Sequence, residues 1–136
     1  MNQINDKIKE INEFLAEFKN IIPSNFNEYK SNIEKKAACE RYFEKIVEAA
    51  TDLAFLIIKQ KKLKIPEDDI SSFSILLENK IISKNLASKL KDAKGMRNIL
   101  SHQYGSIDDE LVFKSIKNEL ESDIKEFIKE TASLIK

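Results

Sequence analysis

Residues 27–61, NEYKSNIEKKAACERYFEKIVEAATDLAFLIIKQK, decide how this chain folds. Within them Ile33, Ala37, Phe43, Val47, Ala50, Ala54 and Ile57 recur at the three-and-four spacing of a helix face. Ala38, Tyr42, Ala49, Leu53 and Leu56 widen that stripe beyond half the circumference, which a helix can bury only when packed on several sides. The expectation is one long central helix from about Asn27 to Lys61. Glu40 falls inside the apolar stripe, whereas Arg41, Glu44, Glu48 and Asp52 gather on the narrow polar side. Those four either form a solvated ladder of pairs, or Glu48 or Asp52 orients a functional group on a neighbouring helix. The stretch runs out in Lys59, Gln60, Lys61, Lys62, Leu63 and Lys64, the densest basic patch of the chain. Four lysines there suit the phosphates of a polyanion and suit a helix C-terminus equally well.

The flanking segments supply helices to pack against this one. Ile4, Ile8, Ile11, Leu15 and Phe18 mark a first helix over about Asn2 to Asn20, with Phe14 and Phe18 as packing aromatics, ended by Pro23, Ser24 and Asn25. Pro66, Glu67, Asp68 and Asp69 form an acidic start for a short helix that carries Phe73, Leu76 and Leu77. Ser83 is placed to cap the next helix, Lys84 to about Ser101, with Ile82 stapled on Ala87. Gly95 weakens that helix and marks the close approach of another backbone. Gly105 closes it, and Ser106 or Asp108 opens a last helix over about Asp109 to Ile135 carrying Leu111, Val112, Ile116, Leu120, Ile124, Phe127, Ile128 and Leu134. The sum is an all-α, antiparallel four-helix up-and-down bundle with an additional short helix, one domain over residues 1–136.

Composition agrees: 42% hydrophobic and 34% charged residues with two glycines and two prolines describe a helical globule with few turns. The formal net charge is zero, so nothing global recruits nucleic acid, and any such binding needs a local patch or a groove built by a dimer. The lone Cys39 makes no intramolecular disulfide and has no zinc-ligand spacing around it, so no metal or cofactor is expected. The opening residues lack a signal-peptide run and no apolar stretch spans a bilayer, which implies a soluble, cytoplasmic protein without a membrane partner.

Chemistry concentrates in Met96-Arg97-Asn98-Ile99-Leu100-Ser101-His102-Gln103-Tyr104-Gly105. It holds one of two arginines, the only histidine and one of three tyrosines. Leu86, Leu90, Ala93 and Leu100 follow a helix face that Arg97 interrupts. Lys84, Lys91, Asn98 and His102 share another side, with His102 ~140° round from Arg97 in a regular helix. Either the helix loosens before His102, or a second copy of the chain supplies the complement across a two-fold axis, which a guanidinium on a packing face favours. Arginine presents a planar fork to phosphate oxygens, and imidazole, with an ordinary pKa of ~6.5, moves protons at neutral pH. Together they suffice to cleave RNA without a metal, the base taking the ribose 2′-hydroxyl proton and the cation stabilising charge on phosphorus. Asn98 can hold either partner or the phosphate, and Lys91 and Lys94 join Lys59, Lys61, Lys62 and Lys64 as candidate RNA contacts. The purely structural alternative makes His102 a helix cap and Tyr104 a packing residue, and requires a buried acid such as Glu40 beside Arg97.

Arg97, His102 and Tyr104 form an R-x4-H-x-Y string that resembles the signature of the HEPN superfamily, specifically its HepT-like toxins. The segment Glu48-Ala49-Ala50-Thr51-Asp52, the pair Ile81-Ile82 and the run Ile107 to Val112 are similar to the family pattern as well. The resemblance implies an all-α homodimer acting as a metal-independent endoribonuclease toxin, with Arg97, His102 and Asn98 in the site. It implies a partner, a minimal nucleotidyltransferase (MNT) antitoxin that silences the toxin by adding AMP to Tyr104, in a type II or AMP-modification-controlled pair. The rival implication is a non-catalytic HEPN module that binds a nucleotidyltransferase or a nucleotide.

Overall fold

The central segment is the axis of the molecule. A computed structural model describes residues 3–102 and 107–132, and in it α3 (Ile33–Gln60) packs against α1 (Gln3–Lys19), α2 (Phe26–Ser31), α4 (Asp69–Glu78) and α5 (Lys84–His102). Two further helices, α6 (Asp109–Asn118) and α7 (Leu120–Ala132), complete the bundle: α7 lies on α5 and α6, and α6 reaches α2. Among the described residues every regular element is helical. At 28 residues α3 is ~42 Å long, and Cys39, Phe43, Ile46, Leu53, Ala54 and Ile57 along it are all but inaccessible.

Two of the expected helices are each broken once. Asn32 leaves helical geometry (φ −107°, ψ 99°), its own N–H ending α2 on the Glu28 carbonyl at 3.2 Å while its side chain accepts from the Lys35 N–H at 3.0 Å to start α3. One asparagine thus closes one helix and caps the next, because its short amide competes with the backbone for hydrogen bonds. The break turns Ile33 out of the apolar stripe, leaving it 79% exposed. Glu119 (φ −125°, ψ −45°) similarly separates α6 from α7, and Leu111 is an exposed residue rather than part of the buried face.

The expected caps form. The Ser83 hydroxyl accepts from the Leu86 N–H at 3.1 Å with Ile82 and Ala87 buried beside it, and Asp108 accepts from the Leu111 N–H at 3.1 Å. Gly105, Ser106, Leu134 and Ile135 lie outside the described residues. Lys62 and Lys80 (φ 55° and 60°) occupy the left-handed position that ends α3 and α4. In each case the following residue, Leu63 or Ile81, donates back to the carbonyl five residues earlier, at 3.0 and 2.9 Å, which ties off the helix end. Phe18 stacks on Tyr42 with centroids 5.5 Å apart, and Lys45 sits over Phe14, so both aromatics of α1 serve packing. No helix among the described residues is long and apolar enough to cross a membrane.

Candidate active site on helices α3 and α5

Helices α3 and α5 run antiparallel with their charged faces together. At ~100° per residue Lys94, Arg97 and Ser101 fall on one side of α5, and they meet Glu44 and Glu48, one turn apart on α3. The Ser101 hydroxyl donates to Glu44 Oε2 at 2.7 Å, closing the end of the interface nearest His102. Glu48 Oε1 accepts from Lys94 Nζ and lies 3.1 Å from Arg97 Nε. The latter is an ion-pair contact without the alignment of a hydrogen bond, and Nε is fully enclosed. About a quarter of the Arg97 side chain remains exposed (24%), and Nη1 donates weakly to Asn98 Oδ1 at 3.4 Å.

Lys94 departs most from its sequence reading. Its side chain is 3% exposed and its ammonium is clamped between Glu48 and, at 3.0 Å, Asp69 Oδ2 from the first turn of α4. It is an interior cation rather than a surface contact for a polyanion. Burial is tolerable because two carboxylates neutralise the charge.

The acid beside Arg97 is Glu48, not Glu40. Glu40 instead lines a small cavity of about 270 Å³ with Ile33, Lys36, Ala37, Ile107 and Asp109. Burial raises its carboxyl above the ordinary range against the opposing pull of Lys36, which is itself bonded to Asp109 at 2.8 Å. Asp52 points away toward α1, 3.4 Å from Lys7. Lys91 is half-buried, and Lys59, Lys61, Lys62 and Lys64 are exposed at the C-terminal end of α3, with Lys59 ~17 Å along the axis from Glu48. Among the described residues no group of three or more His, Cys, Asp or Glu side chains is arranged to hold a metal ion.

His102 is exposed and is the last residue of α5, which stays helical throughout. The helix does not loosen before it, so Arg97 and His102 of one chain point to different sides. Tyr104 lies outside the described residues. Sequence reasoning missed Asp69, Ser101 and the interior role of Lys94; the signal was the i, i+3, i+7 spacing of Lys94, Arg97 and Ser101 opposite two glutamates one turn apart.

Among the described residues, then, the chain is all-helical, with Arg97 turned toward α3 and His102 exposed at the end of α5. Residues 4–131 match the family described as Ribonuclease HepT-like, and the chain is a member of that family. It is 34% identical over 85 residues to the mRNA nuclease HepT of Shewanella oneidensis, an alignment taking in 62% of this chain and 63% of the relative, so under two thirds of that protein's length is spanned. It is 27% identical over 113 residues to the tRNA nuclease HepT of Aphanizomenon flos-aquae, covering 83% of this chain and 77% of the relative. The fold superposes on the tri-AMPylated Shewanella oneidensis HEPN toxin in complex with MNT antitoxin with a TM-score of 0.89, at 27% identity and over 98% of this chain and 99% of that one.

Proposed function

We propose that this protein is a metal-independent endoribonuclease toxin of the cytoplasm, active as a homodimer and silenced by a nucleotidyltransferase of the MNT kind. The observation that carries the reading is the unbroken helix through His102, which keeps Arg97 and His102 of one chain ~140° apart. A two-fold partner offers each arginine the other chain's histidine. Ile33 (79% exposed), Ile99 (44%) and Leu111 (53%) leave apolar surface uncovered that a second copy can bury.

In the reaction His102 takes the proton of a ribose 2′-hydroxyl, and that oxygen attacks the adjacent phosphorus. The bond from phosphorus to the 5′-oxygen breaks, that oxygen takes a proton from water, and the products are a 2′,3′-cyclic phosphate and a 5′-hydroxyl end. Arg97, with Asn98 against its guanidinium, stabilises the charge that builds on the phosphate oxygens. Lys91 and the exposed Lys59, Lys61, Lys62 and Lys64 bind flanking phosphates by charge alone, which makes binding salt-dependent. AMP on Tyr104, two residues from His102, places a bulky anion beside the cations that substrate needs. The names of the Shewanella and Aphanizomenon relatives support RNA as substrate and AMP as the control.

The test is complementation. Arg97→Ala and His102→Ala chains, each inactive alone, regain cleavage when mixed if one cleft draws on both protomers; heterodimers that form and stay inactive would refute the shared site. Co-expression with the nucleotidyltransferase adds AMP mass to the parent and not to Tyr104→Phe.

A further inference from the structure

A single carboxylate oxygen, Glu48 Oε1, serves both Lys94 Nζ and Arg97 Nε. Lys94 is in turn held by Asp69, so the cluster is a chain of alternating charge running from α4 through α5 to α3 and back to the arginine. From this geometry we infer that Glu48 is the positioning residue for Arg97: it engages the inner Nε and leaves the terminal nitrogens as the fork that meets phosphate, while Lys94 fixes Glu48 in place. The inference rests on the ribonuclease reading for its kinetic consequence and on the contacts alone for its structural one.

An arginine has five N–H donors, and phosphate recognition uses the paired geometry of two of them, so a guanidinium free to rotate about its stem spends most orientations misaligned. A carboxylate 3.1 Å from the enclosed Nε draws that edge of the group inward by charge and so restricts the orientations of the fork. Glu48 is itself long and 40% exposed, hence mobile unless held, and the enclosed Lys94 ammonium is a fixed anchor because its own side chain is 3% exposed. Finally, the Glu48 oxygen nearest the arginine is shared between two cations, so its charge is directed at Lys94 and Arg97 together. Lys94 therefore acts through Glu48 and does not touch the substrate.

Removing Glu48 alone also strips a counter-ion from the interior Lys94, which confounds positioning with folding. The discriminating variant is Glu48→Gln/Lys94→Met, in which carboxylate and ammonium are removed together and the stem of Lys94 is replaced at similar length. Stability, read by urea unfolding, recovers relative to Glu48→Gln. RNA cleavage by the double variant stays about 100-fold below the parent in kcat, the scale of a displaced catalytic group, with KM less affected. Cleavage that recovers together with stability would overturn the proposal, since Glu48 would then serve only to neutralise Lys94.

A second readout needs no RNA. Because Arg97 Nε is enclosed and Arg41 is exposed, the Arg97 Nε–H of the parent should exchange with water far more slowly than that of Arg41, the other arginine. In the double variant the Arg97 rate moves toward the Arg41 rate. Unchanged protection of Arg97 in that variant would overturn the hold by Glu48. A parent that cleaves no RNA refutes the ribonuclease reading instead, and the exchange measurement still decides the contact.

Discussion

Removing either end of the Lys94–Glu48 pair should have unequal effects on stability, and the inequality follows from exposure. Glu48→Ala leaves an ammonium whose side chain is 3% exposed with one remaining carboxylate, Asp69 at 3.0 Å. Breaking a buried pair by deleting one partner costs ~3–5 kcal/mol when the surviving charge is wholly uncompensated. Here Asp69 persists and Glu48 is 40% exposed, so its attraction was partly screened, which brings the loss to roughly 2 kcal/mol. For a chain between the small and mid-sized domains on which such slopes are known, that is a fall of roughly 6–10 °C in Tm. Lys94→Met is the opposite case. It discards the desolvated charge, keeps a linear stem in the same space, and leaves Glu48 with Arg97 and with water, while Asp69, 49% exposed, rehydrates. Its loss should stay within ~1 kcal/mol. Urea unfolding of both variants at neutral pH measures this, with an unchanged slope confirming that only the midpoint moved. A Lys94→Met protein as destabilised as Glu48→Ala would refute the reasoning, because the attraction would then exceed the desolvation cost of the lysine.

Other outcomes follow from single residues. Burial pushes the Cys39 thiol up to about 11, with the Glu40 charge adding to it, and the side chain is inaccessible. Iodoacetamide at pH 8 should label it orders of magnitude faster in urea than in the native protein, and equal rates would contradict its place in the core. The Glu40 carboxyl is raised by burial, with Asp109 and Glu44 adding to the shift and Lys36 opposing it. Its ionised form therefore costs stability at pH 7, and the cost vanishes as pH falls below the ordinary value of 4.5. Glu40→Gln should raise Tm at pH 7 and lose that gain in acid; a gain independent of pH would point to packing instead. A Cβ on Gly95 meets nothing within 4 Å, so within one chain the backbone approach expected there is missing. Gly95→Ala should stabilise by ~0.5–1 kcal/mol from helix propensity alone, and a weakened dimer instead would set a second copy's backbone against that face.

The helices were legible where periodicity and caps coincide. Ser83 and Asp108 announce α5 and α6 because a short polar side chain precedes an apolar repeat, and both cap as read. Asn32 was not legible, since Ile33 continues the three-and-four pattern across it and nothing but an asparagine marks the break. Glu119 has no turn chemistry at all, and α6 and α7 separate there by tertiary packing on different neighbours. At the site, Arg97 stood out as a cation in an apolar stripe. Its partner was legible only as a set of alternatives: Glu40 inside the stripe of α3, or Glu48 or Asp52 on its polar side, and the contact falls to Glu48 because α5 packs over that part of the helix. The polar side of a central helix is part solvated, at Arg41 and Asp52, and part covered, at Glu44 and Glu48, and periodicity does not tell the two apart. Lys94 was unreadable for the same reason, being one lysine among many until α4 and α3 close over it.

The central claim is tested most directly by incubating purified protein, with Tyr104 shown unmodified by intact mass, with total RNA in excess chelator, beside His102→Ala. The account predicts fragments from the parent alone, ending in 2′,3′-cyclic phosphate and 5′-hydroxyl groups. Cleavage that persists in His102→Ala, or an unmodified parent that leaves RNA intact, would contradict it.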